Sequence, residues 1–216
     1  MLGIFQSQAQ VNAYKDKSGN LIQPNAKPGD YIYADPTGTG PIGPSDREFL
    51  GSIVPPWNYG FNFGVNYKQW DLAAFAQGVW GNKLLQEYRR LDISSANYPT
   101  SALNAWTPTN TNTNVPRLSN LDPNGNYNTI SSGLLQSGAY FRLKSLQIGY
   151  TLPKDLMTKL DMSRVHVYVS GDNLFTITKY NGYDPEVWGG NNNTGGVDQG
   201  VYPTARTFRV GVDVTL

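Results

Sequence analysis

The chain contains no cysteine and a single histidine in 216 residues. This removes disulfide frameworks, thiolate zinc sites, iron–sulfur clusters and cysteine nucleophiles together. Charge is also scarce: Asp, Glu, Lys and Arg make up 15% of the residues, and 17 basic side chains against 16 acidic ones leave a formal charge of +1. A nucleic-acid binder needs a basic footprint that this balance does not supply. There is no run of 18 apolar residues. That excludes a spanning helix but not a spanning barrel, whose strands alternate faces and leave little hydropathy signal. The opening residues, Met1-Leu2-Gly3-Ile4-Phe5-Gln6, show no basic segment followed by an apolar stretch, so no export signal is read there.

What is abundant is aromatic and turn-forming: 14 Tyr, 8 Phe, 5 Trp, 23 Gly and 14 Pro. Tyr59 to Tyr67 alternates strictly, with Tyr59, Phe61, Phe63, Val65 and Tyr67 on one side and Gly60, Asn62, Gly64 and Asn66 on the other. Period two over nine residues predicts a strand. Trp70 to Trp80 reads as its hairpin partner across the short Lys68-Gln69 connection. Tyr140 to Leu152 alternates and stops at Pro153, which has no N–H to donate. Lys154 to Leu160 predicts one or two turns of helix before a strand from Arg164 to Phe175, and Arg206 to Leu216 puts Phe208, Val210, Val212 and Val214 on one side.

Connection lengths alternate too. Long Pro/Gly or polar stretches at about 24–56, 81–139 and 178–205 are separated by the short turns at 68–69 and 153–163. With antiparallel strands, all the long connections fall at one end of the sheet. Outer-membrane barrels have this asymmetry, with long extracellular loops, short periplasmic turns and aromatic girdles at both interfaces. A rival architecture, a secreted β-sandwich carbohydrate-binding module, would hide Phe61, Phe63 and Val210 in a core, whereas a slice of barrel leaves them exposed.

Several segments carry a family likeness. Tyr140-Phe141-Arg142-Leu143-Lys144-Ser145-Leu146-Gln147-Ile148-Gly149-Tyr150-Thr151-Leu152-Pro153, then Val167-Tyr168-Val169-Ser170-Gly171-Asp172-Asn173-Leu174-Phe175-Thr176, then Tyr180-Asn181-Gly182-Tyr183-Asp184-Pro185-Glu186, and finally Tyr202-Pro203-Thr204-Ala205-Arg206-Thr207-Phe208 follow in the expected order. Together they resemble the end of SusC/RagA-like TonB-dependent outer-membrane transporters. Upstream, Pro28-Gly29-Asp30-Tyr31 and Gln77-Gly78-Val79-Trp80-Gly81-Asn82 are similar as well.

The resemblance implies an all-β fold in the bacterial outer membrane, with antiparallel strands forming the C-terminal part of a transmembrane β-barrel across residues 1–216. A plugged barrel needs about 22 strands, so closure is not expected from this chain. The signal peptide, TonB-engaging motif and plug domain would lie upstream of Met1. The implied function is import of oligosaccharides or peptides, not catalysis. The implied partners are a SusD-like lipoprotein lid, TonB acting through the plug, lipid and the substrate. The terminal strand resembles a barrel-assembly signal with Leu216 in place of the usual Phe.

Trp57, Trp106, Tyr183 and Trp188 fall in or beside the long loops, where a ring can lie on a sugar or a partner. Asp35-Pro36-Thr37-Gly38-Thr39-Gly40 stands where the family has a D-x-N-G-D-G turn, and Thr37 and Thr39 leave only Asp35 and Asp46 as carboxylates. Calcium takes six or more oxygens and several charges. The turn is therefore read as structural, calcium is the lesser alternative, and no cofactor is expected. Gly38-Thr39-Gly40-Pro41-Ile42-Gly43 spells a dinucleotide loop, but Pro41 and Pro44 sit where the phosphate-binding helix must begin. His166 points away from Val165 and Val167 and is read as a hydrogen-bonded lumen residue. Thr107 to Asn114 and Asn191 to Asn193 read as loop-forming runs.

Overall fold

In a computed structural model, which describes residues 1–88, 91–95, 97–187 and 195–216, alternating sequence becomes strand. The elements are β1 (Gly3–Ile4), α1 (Gln8–Ala13), β2 (Tyr31–Ile32), β3 (Trp57–Tyr67), β4 (Trp70–Trp80), β5 (Lys83–Gln86), β6 (Leu135–Ser137), β7 (Tyr140–Thr151), α2 (Lys154–Leu160), β8 (Arg164–Thr178), β9 (Val197–Asp198) and β10 (Thr207–Thr215). The chain forms two compact units, residues 1–51 with 85–135 (unit 1) and residues 52–84 with 136–216 (unit 2). No helix among the described residues is long and apolar enough to cross a membrane.

Unit 2 is built on one five-stranded sheet in the order β10-β8-β7-β4-β3, every neighbour antiparallel. Tyr67 faces Trp70 across the two-residue turn, where Lys68 takes the left-handed φ of 54°. Trp57 faces Trp80 at the far end. The connections before β3, from β4 to β7 and from β8 to β10 therefore all leave from the Trp57/Trp80 end. The α2 connection runs from β7 to β8 at the other, and α2 ends on Asp161 at φ 56°. Short strands β5, β6 and β9 form a separate sheet in the order β6-β5-β9.

Register carries one apolar face across the whole sheet. Phe63 lies opposite Ala74, Ala74 opposite Leu146, Ile148 opposite Val169, and Val169 opposite Val210. A bulge keeps this face continuous where simple alternation fails. Phe75 pairs with Ser145 but Ala76 with Leu143, so Lys144 is the extra residue and the apolar row passes from Leu146 to Leu143 and Phe141. Opposite it, β8 inserts Asn173 and Leu174 between Asp172 and Phe175, with Asn173 at φ 53°.

These apolar side chains are not in a core. Phe61, Phe63 and Val210 are 60%, 61% and 76% exposed, and Val65, Ile148, Val169, Phe208 and Val212 are exposed beside them. The sandwich architecture requires the opposite, so the rival reading fails on this observation. Glycines let rings cross strands on both faces. Tyr59 lies over Gly78 and donates to the Tyr140 carbonyl at 2.9 Å, Tyr168 lies over Gly211, and His166 with Asp71 lies over Gly149.

Unit 1 has conventional cores: Ile4, Tyr31, Tyr33 and Trp106 form one, and Phe5, Val11 and Ala26 another. Asp30 is fully buried. It accepts from Lys27 N at 2.8 Å and Asn126 Nδ2 at 2.9 Å, and pairs with Arg117 Nε at 2.7 Å. Gly29, at φ 94°, has the Arg117 side chain 2.7 Å from where a Cβ would stand. Burial pushes the Tyr31 phenol up to about 12. Most of the long connections at 24–56 and 81–139 are thus part of a packed unit together with residues 1–23.

Candidate functional site

The face of the sheet opposite the apolar rows is polar, and the 178–205 connection is clasped to it. Alternation on β7 puts Arg142 on this face, where it is 4% exposed. Its Nη2 donates to Asp184 Oδ1 at 2.6 Å, Nη1 to Glu186 Oε2 at 2.6 Å and Nε to Thr176 Oγ1 at 2.7 Å. Lys144, displaced by the bulge, reaches Glu186 Oε2 at 2.7 Å. Glu186 Oε1 accepts from the Tyr140 hydroxyl at 2.7 Å and Gln77 Nε2 at 3.0 Å. Asp184 also accepts from Glu186 N at 2.9 Å and Thr204 N at 3.0 Å. One arginine thus holds both acids of the Asp184-Pro185-Glu186 corner.

A buried charge is tolerated only when paired and hydrogen-bonded, and this cluster meets that requirement. Burial pushes the Asp184 carboxyl up, but hydrogen bonds from Arg142 and two backbone N–H groups outweigh it and hold it below the usual range. Burial acts likewise on Glu186 and is outweighed by Lys144, Tyr140 and Arg142. Farther along the connection, the Tyr180 hydroxyl donates a short hydrogen bond to Asp198 Oδ2, while Asp198 Oδ1 accepts from Gly200 N at 2.9 Å. Leu84, Tyr180 and Val187 pack into a small core beneath it. Gly182 is required because a Cβ there would meet the Tyr180 ring.

Between the end of β8 and this corner lies a cavity of about 250 Å³ lined by Asn173, Thr176, Tyr183, Thr204 and Arg206, with the Arg142–Asp184 pair in its wall. At the other end of the polar face His166 is buried. Its Nε2 lies 2.8 Å from Asp71 Oδ1 and its Nδ1 3.5 Å from Asp213 Oδ2, which gives it the hydrogen-bonded place expected of it.

The aromatic candidates separate. Trp57 is part of β3 and belongs to the exposed apolar face, paired with Trp80. Trp106 is buried in unit 1, where its indole N–H donates to Gln6 Oε1 at 2.8 Å. Tyr183 is 64% exposed and lines the cavity. Trp188, with the Asn191–Asn193 run, lies outside the described residues. The Thr107–Asn114 run closes a hydrogen-bonded turn, with Thr107 N to Asn110 O at 3.2 Å and Asn110 side-chain bonds to Asn104 and Ala105 carbonyls. Asp35 and Asp46 converge on the Thr37 hydroxyl at 3.2 and 2.6 Å, and accept from Gly38, Gly40 and Gly43 N–H groups. No group of three potential metal ligands gathers among the described residues. The Gly38–Gly43 stretch leads into a single 3-10 turn, Pro44–Asp46, not a phosphate-binding helix.

The clasp itself was not read from sequence. Its signal was present as two basic residues two apart on β7 and an acid pair flanking Pro185, but nothing in one dimension links residues more than 40 apart.

The apolar face has the dimensions of a membrane band. Trp57 and Trp80 mark one end, and Tyr67, Trp70 and Tyr150 the other, with Trp70 and Tyr150 ring centroids 4.8 Å apart. Ten steps from Trp57 to Tyr67 measure about 34 Å along the strand, or roughly 25 Å at the tilt of outer-membrane barrels, which is the height of their apolar band.

No family model matches the chain. It is 39% identical over 198 residues, 88% of its length, to TonB-dependent receptor P3 of Formosa agariphila, and 27% identical over 195 residues to TonB-dependent receptor SusC of Bacteroides thetaiotaomicron. Among solved structures it resembles the RagAB peptide transporter, with a TM-score of 0.66 and 27% identity over 82% of the chain, and the closed-closed RagAB peptide importer, with a TM-score of 0.64 over 95%. The chain spans about a fifth of the length of these relatives: 19% and 18% of the two receptors, and 19% and 21% of the two solved chains.

Proposed function

We propose that this chain, a relative of the SusC/RagA-like TonB-dependent receptors, supplies wall, lumen surface and extracellular loops to an outer-membrane importer of oligosaccharides or peptides. The observation that carries the proposal is the two-faced sheet. Phe61, Phe63, Val169, Val210 and Val212 form an exposed stripe between two aromatic belts, while Arg142, His166 and their partners occupy the other side. A bilayer accepts the first face where β4, β7 and β8 are paired on both sides, and the outer edges of β3 and β10 would be paired by further strands of the same barrel. The second face suits a hydrated lumen. The reading assigns the chain transport and no catalytic step, and it needs no metal or cofactor.

A SusD-like lipoprotein would close the extracellular mouth, and TonB would act through a plug domain. Similarity to SusC and RagAB supports this part of the reading. Trp57 belongs to the lipid belt, and Tyr183, exposed at the clasped corner, is the substrate-contacting aromatic among the described residues. Deleting the gene that encodes this chain should abolish TonB-dependent growth on one glycan or peptide source while leaving growth on simple sugars intact. Unchanged growth on every such source would defeat the reading.

A further inference from the structure

The cavity between the end of β8 and the Tyr183-Asp184-Pro185-Glu186 corner contains an imbalance of charge. Arg142 faces Asp184 and Glu186 at 2.6 Å each, and Lys144 faces Glu186 at 2.7 Å. Arg206 also lines the cavity but makes no ion pair with any carboxylate among the described residues. Its neighbour on β10, Arg209, is paired with Asp172 at 2.6 Å. Around Arg206 stand an exposed phenol ring, Tyr183, and short polar groups, Asn173, Thr176 and Thr204.

These groups have a common chemistry. An unpaired guanidinium recognises a carboxylate in a fork of two N–H bonds, and a flat aromatic covers an adjacent ring or side chain. The wall is rigid, because both Asp184 oxygens are already occupied by Arg142, Glu186 N and Thr204 N. Asn173 is fixed as well, donating to the Ala205 carbonyl at 3.1 Å next to Arg206. A cavity of about 250 Å³ is smaller than the usual ligand pocket of about 300 Å³ or more, which suits one terminal unit and not a whole oligomer.

We infer that this cavity is a subsite for the carboxylate-bearing unit of the imported molecule, with Arg206 pairing the carboxylate and Tyr183 covering the unit that carries it. The inference rests on the importer reading above and sharpens its substrate class to acidic molecules. A uronate and a peptide C-terminus offer the same group, so the test separates them.

Binding is measured by calorimetry on the full-length protein in detergent with two pairs of probes: trigalacturonate against its methyl ester, and a tripeptide with a free C-terminus against its amide. At least one acid should bind ten-fold or more tightly than its neutral twin. Arg206→Gln should erase that preference while Arg206→Lys keeps part of it, and Tyr183→Ala should weaken both members of the favoured pair. The pair that shows the preference names the source. If neither acid outcompetes its twin, or the preference survives Arg206→Gln, the inference is overturned. Uptake by intact cells is scored separately. Wild-type uptake with no Arg206-dependent charge preference removes only the subsite, whereas absence of any uptake removes the importer reading.

Discussion

Phe5 in unit 1 is 1% exposed and Phe63 on the sheet is 61% exposed. Each sits in regular surroundings, the first packed with Val11 and Ala26, the second in a row with Phe61 and Val65. Burying a phenylalanine from water is worth about 1.5–3 kcal/mol, and unit 1 gains that stabilisation internally. The sheet gains it only if something apolar covers its outer face. Polar groups are reversed in the same way: unit 1 buries Asp30 under Arg117 and Asn126 as a structural tie, whereas the sheet places its ion cluster where a connection must be pinned. An alternating sequence specifies which side chains share a face, but the solvent determines which face points outward.

The sharpest way to break this comparison is to attack unit 1 at its buried charge. Asp30→Ala leaves Arg117 unpaired, and loss of one partner of a buried pair costs about 3–5 kcal/mol. Hydrogen exchange should rise across residues 28–33 and 114–127, with the β3–β4 hairpin unaffected. Val210→Arg tests the other region. In lipid it should cost about 2–4 kcal/mol, as charges do near the midplane of a barrel wall, measured by denaturant titration in vesicles. A change within about 0.5 kcal/mol, usual for a water-exposed site, would mean that this face meets solvent instead.

Acid gives a graded effect. Asp184 and Glu186 have folded pKa values below their unfolded ones. Their contribution is therefore complete above the unfolded carboxylate range, about 4, and fades as the pH falls through the depressed values. Hydrogen exchange at Tyr183–Glu186 should accelerate below about pH 4, and Arg142→Gln should make it fast already at neutral pH. The smallest effect is expected at the hairpin. Lys68 holds a left-handed φ of 54°, so Lys68→Gly should raise stability by at most about 1 kcal/mol, seen as a small shift in the denaturation midpoint.

Sequence revealed the strands, the Lys68-Gln69 turn and the α2 helix because period-two alternation and Pro153 are local signals. It did not reveal the bulge at Lys144, since one extra residue looks like blurred alternation until the partner strand is known. The extension of β8 to Thr178 was hidden for the same reason. Unit 1 was missed because its ties join distant residues: Gln6 to Trp106, Asp30 to Arg117, Tyr31 to Asn126. Such pairs leave no periodic trace, so a tryptophan between polar runs looked like a loop ring when it was a core residue. His166 was placed by alternation alone, but the Arg142 clasp required both of its ends in three dimensions.

The rings seated over Gly78, Gly211 and Gly149 have a mechanical meaning. Tyr59 vaults over its neighbour to tie β3 to the carbonyl of Tyr140 on β7, so three strands are riveted where hydrogen bonding alone joins two. Sliding β3 past β4 by a single residue would drive the ring into a side chain. The glycines therefore act as detents that hold the sheet in one alignment.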